Sequence, residues 1–342
     1  MQGVESITVF EPRLGRVIWD LTYACPLRCI HCYSESGRRK SEMLDESTAL
    51  RLAHKLADAG PTRISFGGGE PLMAKWWQKV ADVFHSKGIN TAVFTGGWLL
   101  DLELATKLVT SVDNVSVSID GPNAAVHDLI RGRDGSFDRA LRAVELLLKA
   151  RESTRARCEI AIEFTATRRA LPGFEEFLSG LLRQFINLDY VRVGAVIPEG
   201  LASEPEFCAV HLLREHEIEQ LHDICDRVAK KHATIHTQIQ FTDVREFLPS
   251  ESGDDADADG LIFHIEPSGQ VRAMTNYEAK VGDALTQPID ELVHGIWNWR
   301  TNADVLSRFK QASSFAKWGE VTRRIDLDYG SPADKIRILK RN

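Results

Sequence analysis

The 342-residue chain is 43% hydrophobic and 27% charged, the make-up of a globular protein with a sizeable core. Its 42 basic against 49 acidic residues leave a net charge of -7, which argues against a general grip on nucleic acid. No apolar run approaches the roughly 20 residues that span a bilayer, and the N-terminus MQGVESITVFEPRLGR lacks the basic start and apolar stretch of a signal peptide.

In chain order, residues 1–15 read as an N-terminal extension, and from there to about residue 200 β-like runs alternate with amphipathic helices. Strands are expected at 16–22 (RVIWDLT), 62–66 (TRISF), 91–95 (TAVFT), 114–120 (NVSVSID), 158–167 (CEIAIEFTAT) and 190–197 (YVRVGAVI). A helix is expected from Asp45 to Ala59, with Ala49, Leu52, Ala53, Leu56 and Ala57 on one face and Gly60 as its stop. Another starts with Ser136 as N-cap and carries Phe137, Ala140, Leu141, Val144, Leu147 and Leu148 at the same spacing. Six such units in series imply a parallel sheet with right-handed crossovers, doubly wound or curled into a barrel. Past residue 200 the pattern changes: a helix at 216–232, TIHTQIQF, and an acidic loop at 251–260 expected to be solvated. LIFHIEPSGQVRAM then reads as a hairpin turning at Pro267-Ser268-Gly269, followed by a helix containing Trp297 and Trp299. The expected division is therefore a barrel or sheet unit at 16–215 and a small α+β appendage at 216–342.

Three segments carry chemistry. Cys25, Cys29 and Cys32 form CxxxCxxC on the loop after the first strand, and with no signal peptide the default compartment is cytosolic and thiol-reducing. Three thiolates on one short loop suit one face of an iron–sulfur cube. Zinc prefers a fourth ligand and paired CxxC units, and Pro26, Arg28 and His31 make the segment too polar for core. Gly67-Gly68-Gly69-Glu70-Pro71 ends the second strand: glycines permit close approach to a ligand, and Glu70 favours an ammonium over a phosphate. In Val115–Pro122, apolar Val115, Val117 and Ile119 should face the helices, leaving Ser116, Ser118 and Asp120 to the lumen. Ala161, Glu163, Thr165, Arg192, Gly194 and Asp20 join them by the same alternation. So many polar groups suit a substrate-filled lumen better than a sealed core.

These motifs, in this order and spacing, resemble the radical S-adenosylmethionine (SAM) superfamily, strongly over about residues 14–200. The run HDLIRGRDGSFDRAL (127–141) resembles the branch with a SPASM or twitch appendage, which includes peptide and cofactor-peptide maturases. The resemblance implies a partial (β/α)6 TIM barrel with a SPASM/twitch-like α+β tail, one [4Fe–4S] cluster on Cys25, Cys29 and Cys32, and SAM chelated at the open iron. It also implies SAM contacts from Gly68, Gly69, Glu70, Thr95, Ser118 and Arg131, with the backbone at His31 and the side chain of Ile197 near the adenine. One electron from the cluster would cleave the sulfonium C–S bond, leaving a 5′-deoxyadenosyl radical that takes a substrate hydrogen atom. Asp120 and Glu163 are the candidate catalytic carboxylates, and Cys208 is the candidate hydrogen-atom donor.

The chain departs from that branch in its tail. The hairpin is kept, but the sequence has no cysteine after Cys225, and Met274 stands where one is expected. Cys158 and Cys225 fall on core-facing stripes, so a single cluster is expected. The resemblance implies radical modification of a ribosomally made peptide, such as crosslinking or epimerisation. The alternative is a small metabolite such as a sugar, nucleoside or amino acid, and a third reading is a metal-binding scaffold that does not cleave SAM. Expected partners are the substrate and an electron donor such as flavodoxin or ferredoxin. With only about 16 residues before the first strand, either a separate leader-peptide-binding protein or direct binding is expected for a peptide substrate; no nucleic-acid or membrane partner is.

Overall fold

In the computed structural model, residues 11–248 and 260–341 are described; the acidic loop, except for Gly260, lies outside them. The β-α alternation is present in order: β1 (Leu14–Thr22), α1 (Glu46–Asp58), β2 (Arg63–Gly68), α2 (Trp77–Ser86), β3 (Asn90–Thr95), α3 (Leu102–Ser111) and β4 (Asn114–Ser118). After these come α4 (Ala124–Arg131), α5 (Ser136–Thr154), β5 (Glu159–Ala166), α6 (Phe174–Gln184) and β6 (Tyr190–Ala195). The remaining elements are α7 (Pro205–His211), α8 (Glu215–Lys231), β7 (Gln238–Thr242), β8 (Leu261–Ile265), β9 (Gln270–Arg272), β10 (Lys280–Asp283), α9 (Ile289–Arg300), α10 (Ala303–Phe309), α11 (Phe315–Tyr329) and α12 (Pro332–Leu339).

Helix α1 starts where Asp45 accepts from the backbone N–H of Thr48, and its apolar stripe is buried as its spacing predicts. Helix α5 starts differently from expectation: Ser136 is its first residue, not its cap. The capping oxygens come from Asp128, which accepts from Gly135 N–H, the Ser136 hydroxyl and Phe137 N–H at 2.7–2.8 Å. A capping acid that arrives from a neighbouring helix has no local spacing signal.

Among the described residues, the ten strands form one open sheet in the order β10-β9-β8-β1-β2-β3-β4-β5-β6-β7. From β8 to β7 every pairing is parallel, and β8–β9 and β9–β10 are antiparallel. The sheet is thus a partial barrel with one more parallel strand at each side than the six expected. The hairpin at Pro267–Gly269 is present, but its first strand lies along β1 (Val17 opposite Phe263, Ile18 opposite His264). The expected division at residue 215 therefore runs through a continuous sheet. Val115, Val117 and Ile119 are fully buried against the helices, as are Trp19, Phe66, Ile160, Ile162 and Phe263. Cys158 and Cys225 are also buried in this core. Among the described residues, no helix is long and apolar enough to cross a membrane.

Candidate active site

The C-terminal ends of β1 to β6 open on a cavity of about 470 Å³, a volume that takes a cofactor-sized ligand. Its walls include Cys25, Cys29, Cys32, His31, Gly68, Gly69, Glu70, Thr95, Ser118, Arg131, Glu163 and Ile197. All of these were singled out from sequence. Two other candidates lie elsewhere. Asp120 sits fully buried behind the wall, and Cys208, on α7, packs its sulfur against Gly319 and the Ala202 carbonyl. A hydrogen-atom donor must reach the cavity, and Cys208 is not among the residues that line it.

The cysteine loop is clamped by backbone hydrogen bonds on three sides. Thr22 and Ala24 carbonyls accept from Gly69 and Glu70 N–H (2.7 and 2.9 Å); Arg28 and Ile30 N–H donate to Arg131 and Ile130 carbonyls (3.0 and 2.9 Å). From the loop after β6, Leu201 N–H donates to the Cys32 carbonyl at 3.1 Å. Each thiol also has a polar neighbour: Leu27 N–H to Cys25 Sγ at 3.4 Å, Arg131 Nη1 to Cys29 Sγ at 3.8 Å, and Ser34 Oγ 3.4 Å from Cys32 Sγ. Burial pushes the Cys29 thiol up to about 11 against the pull of Arg131, and pushes Cys25 higher still. A metal held here would bind the deprotonated thiolates. Among the described residues, no three His, Cys, Asp or Glu side chains gather tightly enough to hold one ion. All three thiols face the same cavity from one short loop, an arrangement that fits cysteine ligation of an iron–sulfur cluster.

The glycine loop does more than expected. A Cβ on Gly69 would lie 2.2 Å from the Ala24 carbonyl oxygen, and one on Gly68 2.7 Å from that of Thr22. These glycines admit the cysteine loop and at the same time line the cavity. Gly69 and Glu70 N–H are spent on that contact, and Gly68 N–H donates to the Tyr33 hydroxyl at 3.2 Å. With these N–H groups consumed, the loop has few donors left for a phosphate, and the Glu70 carboxyl in the same wall suits an ammonium. Glu70 is buried and accepts from Thr95 Oγ1 (2.9 and 3.0 Å) and Gly96 N–H (3.1 Å). Burial, resisted by these donors, pushes its carboxyl up to about 7.

Asp120 organises a second wall. Its carboxylate pairs with Arg131 at 2.6 Å and His31 at 3.3 Å and accepts from Thr165 N–H at 3.1 Å. Burial pushes its carboxyl up, but Arg131, with help from His31, outweighs this and holds it well below the usual carboxylate range. Asp120 N–H donates to His127 Nδ1 (3.1 Å), and burial with Arg131 pushes that imidazole down to about 4. Deeper in the lumen, Glu163 pairs with Arg192 at 2.9 Å and accepts from Ser116 at 3.3 Å; burial pushes it up to about 7.

Of a third wall, sequence reasoning found only Asp20. Asp20 accepts from Tyr33 (2.8 Å) and pairs with His264 of β8 (3.1 Å), whose Nδ1 accepts from Asn276 N–H (3.2 Å). Asn276 Nδ2 donates to Glu199 at 2.7 Å, and Thr275, Asn276 and Glu199 all line the cavity. Burial pushes Glu199 up to about 8. These residues come together only through the β1–β8 pairing, more than 240 positions apart in sequence.

Residues 19–156 match the Radical SAM superfamily. The chain is 33% identical over 177 residues to the mycofactocin maturase MftC of Mycolicibacterium smegmatis, covering 51% of this chain and 43% of that one. To MftC of Mycobacterium tuberculosis it is 29% identical over 257 residues, 75% of this chain and 57% of the relative. An AdoMet-dependent heme synthase of Methanosarcina barkeri is 36% identical over 141 residues, 41% of this chain and 40% of that one. The chain spans about half the length of these curated relatives. In fold it is similar to Streptococcus suis SuiB bound to the precursor peptide SuiA (TM-score 0.64, 12% identity, 90% of this chain and 71% of that one). It is likewise similar to anSMEcpe with bound AdoMet (TM-score 0.61, 16% identity, 96% of this chain and 100% of that one).

Proposed function

We propose, for a chain whose residues 19–156 carry a radical SAM domain, that it is an enzyme holding one [4Fe–4S] cluster and SAM and modifying a C–H bond of a ribosomally made peptide. The observation that carries this reading is the convergence of Cys25, Cys29, Cys32, Gly68, Gly69, Glu70 and Ser118 on one cavity at the sheet's C-terminal rim. When bound, the cluster and SAM supply one-electron cleavage of a sulfonium C–S bond and hydrogen-atom abstraction from the substrate.

The chain's own residues do the rest. Cys25, Cys29 and Cys32 would hold the cluster, and the N–H, hydroxyl and guanidinium neighbours of their sulfurs tune it. Glu70 and the glycine loop would hold the SAM ammonium, with Thr95 fixing the Glu70 carboxylate. Arg131, already anchored on Asp120, orients the Cys29 side of the site. Ser118 and Ile197 complete the SAM side. Glu163, Glu199, Thr275 and Asn276 furnish polar walls for substrate, with Asp120 acting through Arg131 and not on substrate directly.

Peptide substrates are supported by relatives named as maturases and by fold relatives described with bound peptides. An electron donor and, for a peptide, a separate leader-binding protein complete the scheme, in a compartment that keeps the six cysteines reduced. The test is mass spectrometry of candidate precursor peptides incubated with the reconstituted chain, SAM and dithionite. A peptide mass change that requires SAM is expected; turnover of small metabolites with no peptide altered would favour the alternative.

A further inference from the structure

We infer that the solvent side of the cysteine loop, where Arg28 and Arg38 on the loop are joined by Arg133 and Arg139 over Trp98, is the docking surface for an acidic one-electron carrier protein. This assignment rests on the radical reading above. The chain as a whole is acidic, with a net charge of -7, yet these four arginines are exposed together. Among the described residues, none of the four lies within ion-pair distance of a carboxylate, although Asp134 and Asp138 are exposed on the same turn. Three of them spend their donors on neutral groups instead. Arg38 donates to the Cys29 carbonyl (3.0 Å) and to that of Arg28, Arg133 to that of Pro26 (2.7 Å), and Arg139 to that of Trp98 (3.1 Å). Arg133 and Arg139 also sit over the Trp98 ring at 3.7 and 4.3 Å. Carbonyl dipoles and a ring face fix the guanidiniums in place without cancelling their charge.

The loop thus has two faces. Cys25, Leu27, Cys29 and Arg131 line the cavity, whereas none of the four arginines does. Substrate occupies the cavity side, so a protein approaching from solvent meets the arginine side with only one loop between it and the thiols. Arginine around a tryptophan is the composition of an interface centre. Carrier encounters are small, transient and steered by charge, which a fixed positive collar provides. In the transfer, the carrier is oxidised by one electron and the cluster reduced by one, and no proton or group moves.

The test is calorimetric binding of flavodoxin, and separately of a plant-type ferredoxin, to the reconstituted chain at 50 and 300 mM NaCl. R28E/R139E leaves the loop carbonyls bound by Arg38 and Arg133 intact. It should bind either carrier at least tenfold more weakly at 50 mM, with the difference closing at 300 mM, while dithionite-driven SAM cleavage stays at the wild-type level. K149E/R183E makes the same charge change at exposed positions on α5 and α6 and should bind as wild type does. Wild type binding neither carrier, R28E/R139E binding as tightly as wild type, K149E/R183E weakening equally, or duplex DNA binding more tightly than the carriers would each overturn the assignment. Absence of dithionite-driven cleavage in wild type would instead overturn the radical reading, and the binding measurements would still decide the surface.

Discussion

Glu70 shows how one buried carboxylate ties two strands to one site. It receives Thr95 Oγ1 and Gly96 N–H from the end of β3 while sitting on the β2 rim. Glu70→Ala would orphan these two donors, so a stability loss of about 1–3 kcal/mol is expected in urea melts, together with at least tenfold weaker SAM binding and unchanged iron content. Glu199 makes a pH prediction. Its folded carboxyl titrates near 8 because it is buried, whereas an unfolded glutamate titrates near ~4.3. Between those values the folded chain keeps a proton that the unfolded chain has lost. Its contribution to stability is therefore full below ~4.3 and lost as pH rises toward 8, at up to about 1.4 kcal/mol per pH unit. Glu199→Gln should flatten that slope, and a Glu199→Gln melt series parallel to wild type from pH 5 to 8 would contradict it. The two residues differ in legibility. Glu70 follows three glycines at a strand end and could be read locally, whereas Glu199 matters only because Asn276 comes to it from the tail.

At the level of elements, the cysteine loop is the most constrained segment. Gly200, in the left-handed region at φ +54, would place a Cβ 2.4 Å from Tyr33 Cα, and Gly69 is equally crowded on the opposite side. Gly69→Ala should therefore displace the loop, with iron content falling at least fivefold while far-UV circular dichroism stays that of wild type. A Gly69→Ala chain that loads iron normally would mean that the loop is not held as described. The tail is braced by charge. Arg272 is fully buried, pairing with Glu266 at 2.7 Å and lying 3.7 Å from Glu278, and Lys280 and Arg337 join the same carboxylates. Arg272→Met would remove the central cation, at an expected cost of about 3–5 kcal/mol by chemical denaturation. The periods of β1 to β6 and of α1 were legible because each element buries one face. The placement of β8 beside β1 was not, because a short apolar run names no partner strand, and the hairpin reading holds wherever the hairpin docks.

Across the whole molecule, the ten-strand sheet puts cysteine loop, glycine loop and tail hairpin around one cavity. The tail reaches the loop twice: His264 through Asp20 and Tyr33, and Arg337 and Arg341 through Glu35. A chain cut before Gly260 would leave the β1 edge unpaired and Asp20 without His264, so loss of iron binding is expected even though all three cysteines remain. The central claim is that Cys25, Cys29 and Cys32 hold the chain's one cluster and that this site cleaves SAM. The most direct measurement is 5′-deoxyadenosine release by the anaerobically reconstituted chain under dithionite, with iron counted on the same sample and on Cys32→Ala. About four irons per chain, deoxyadenosine formation by wild type, and loss of both in the variant are predicted. One zinc per chain, or iron bound without deoxyadenosine, would contradict the account.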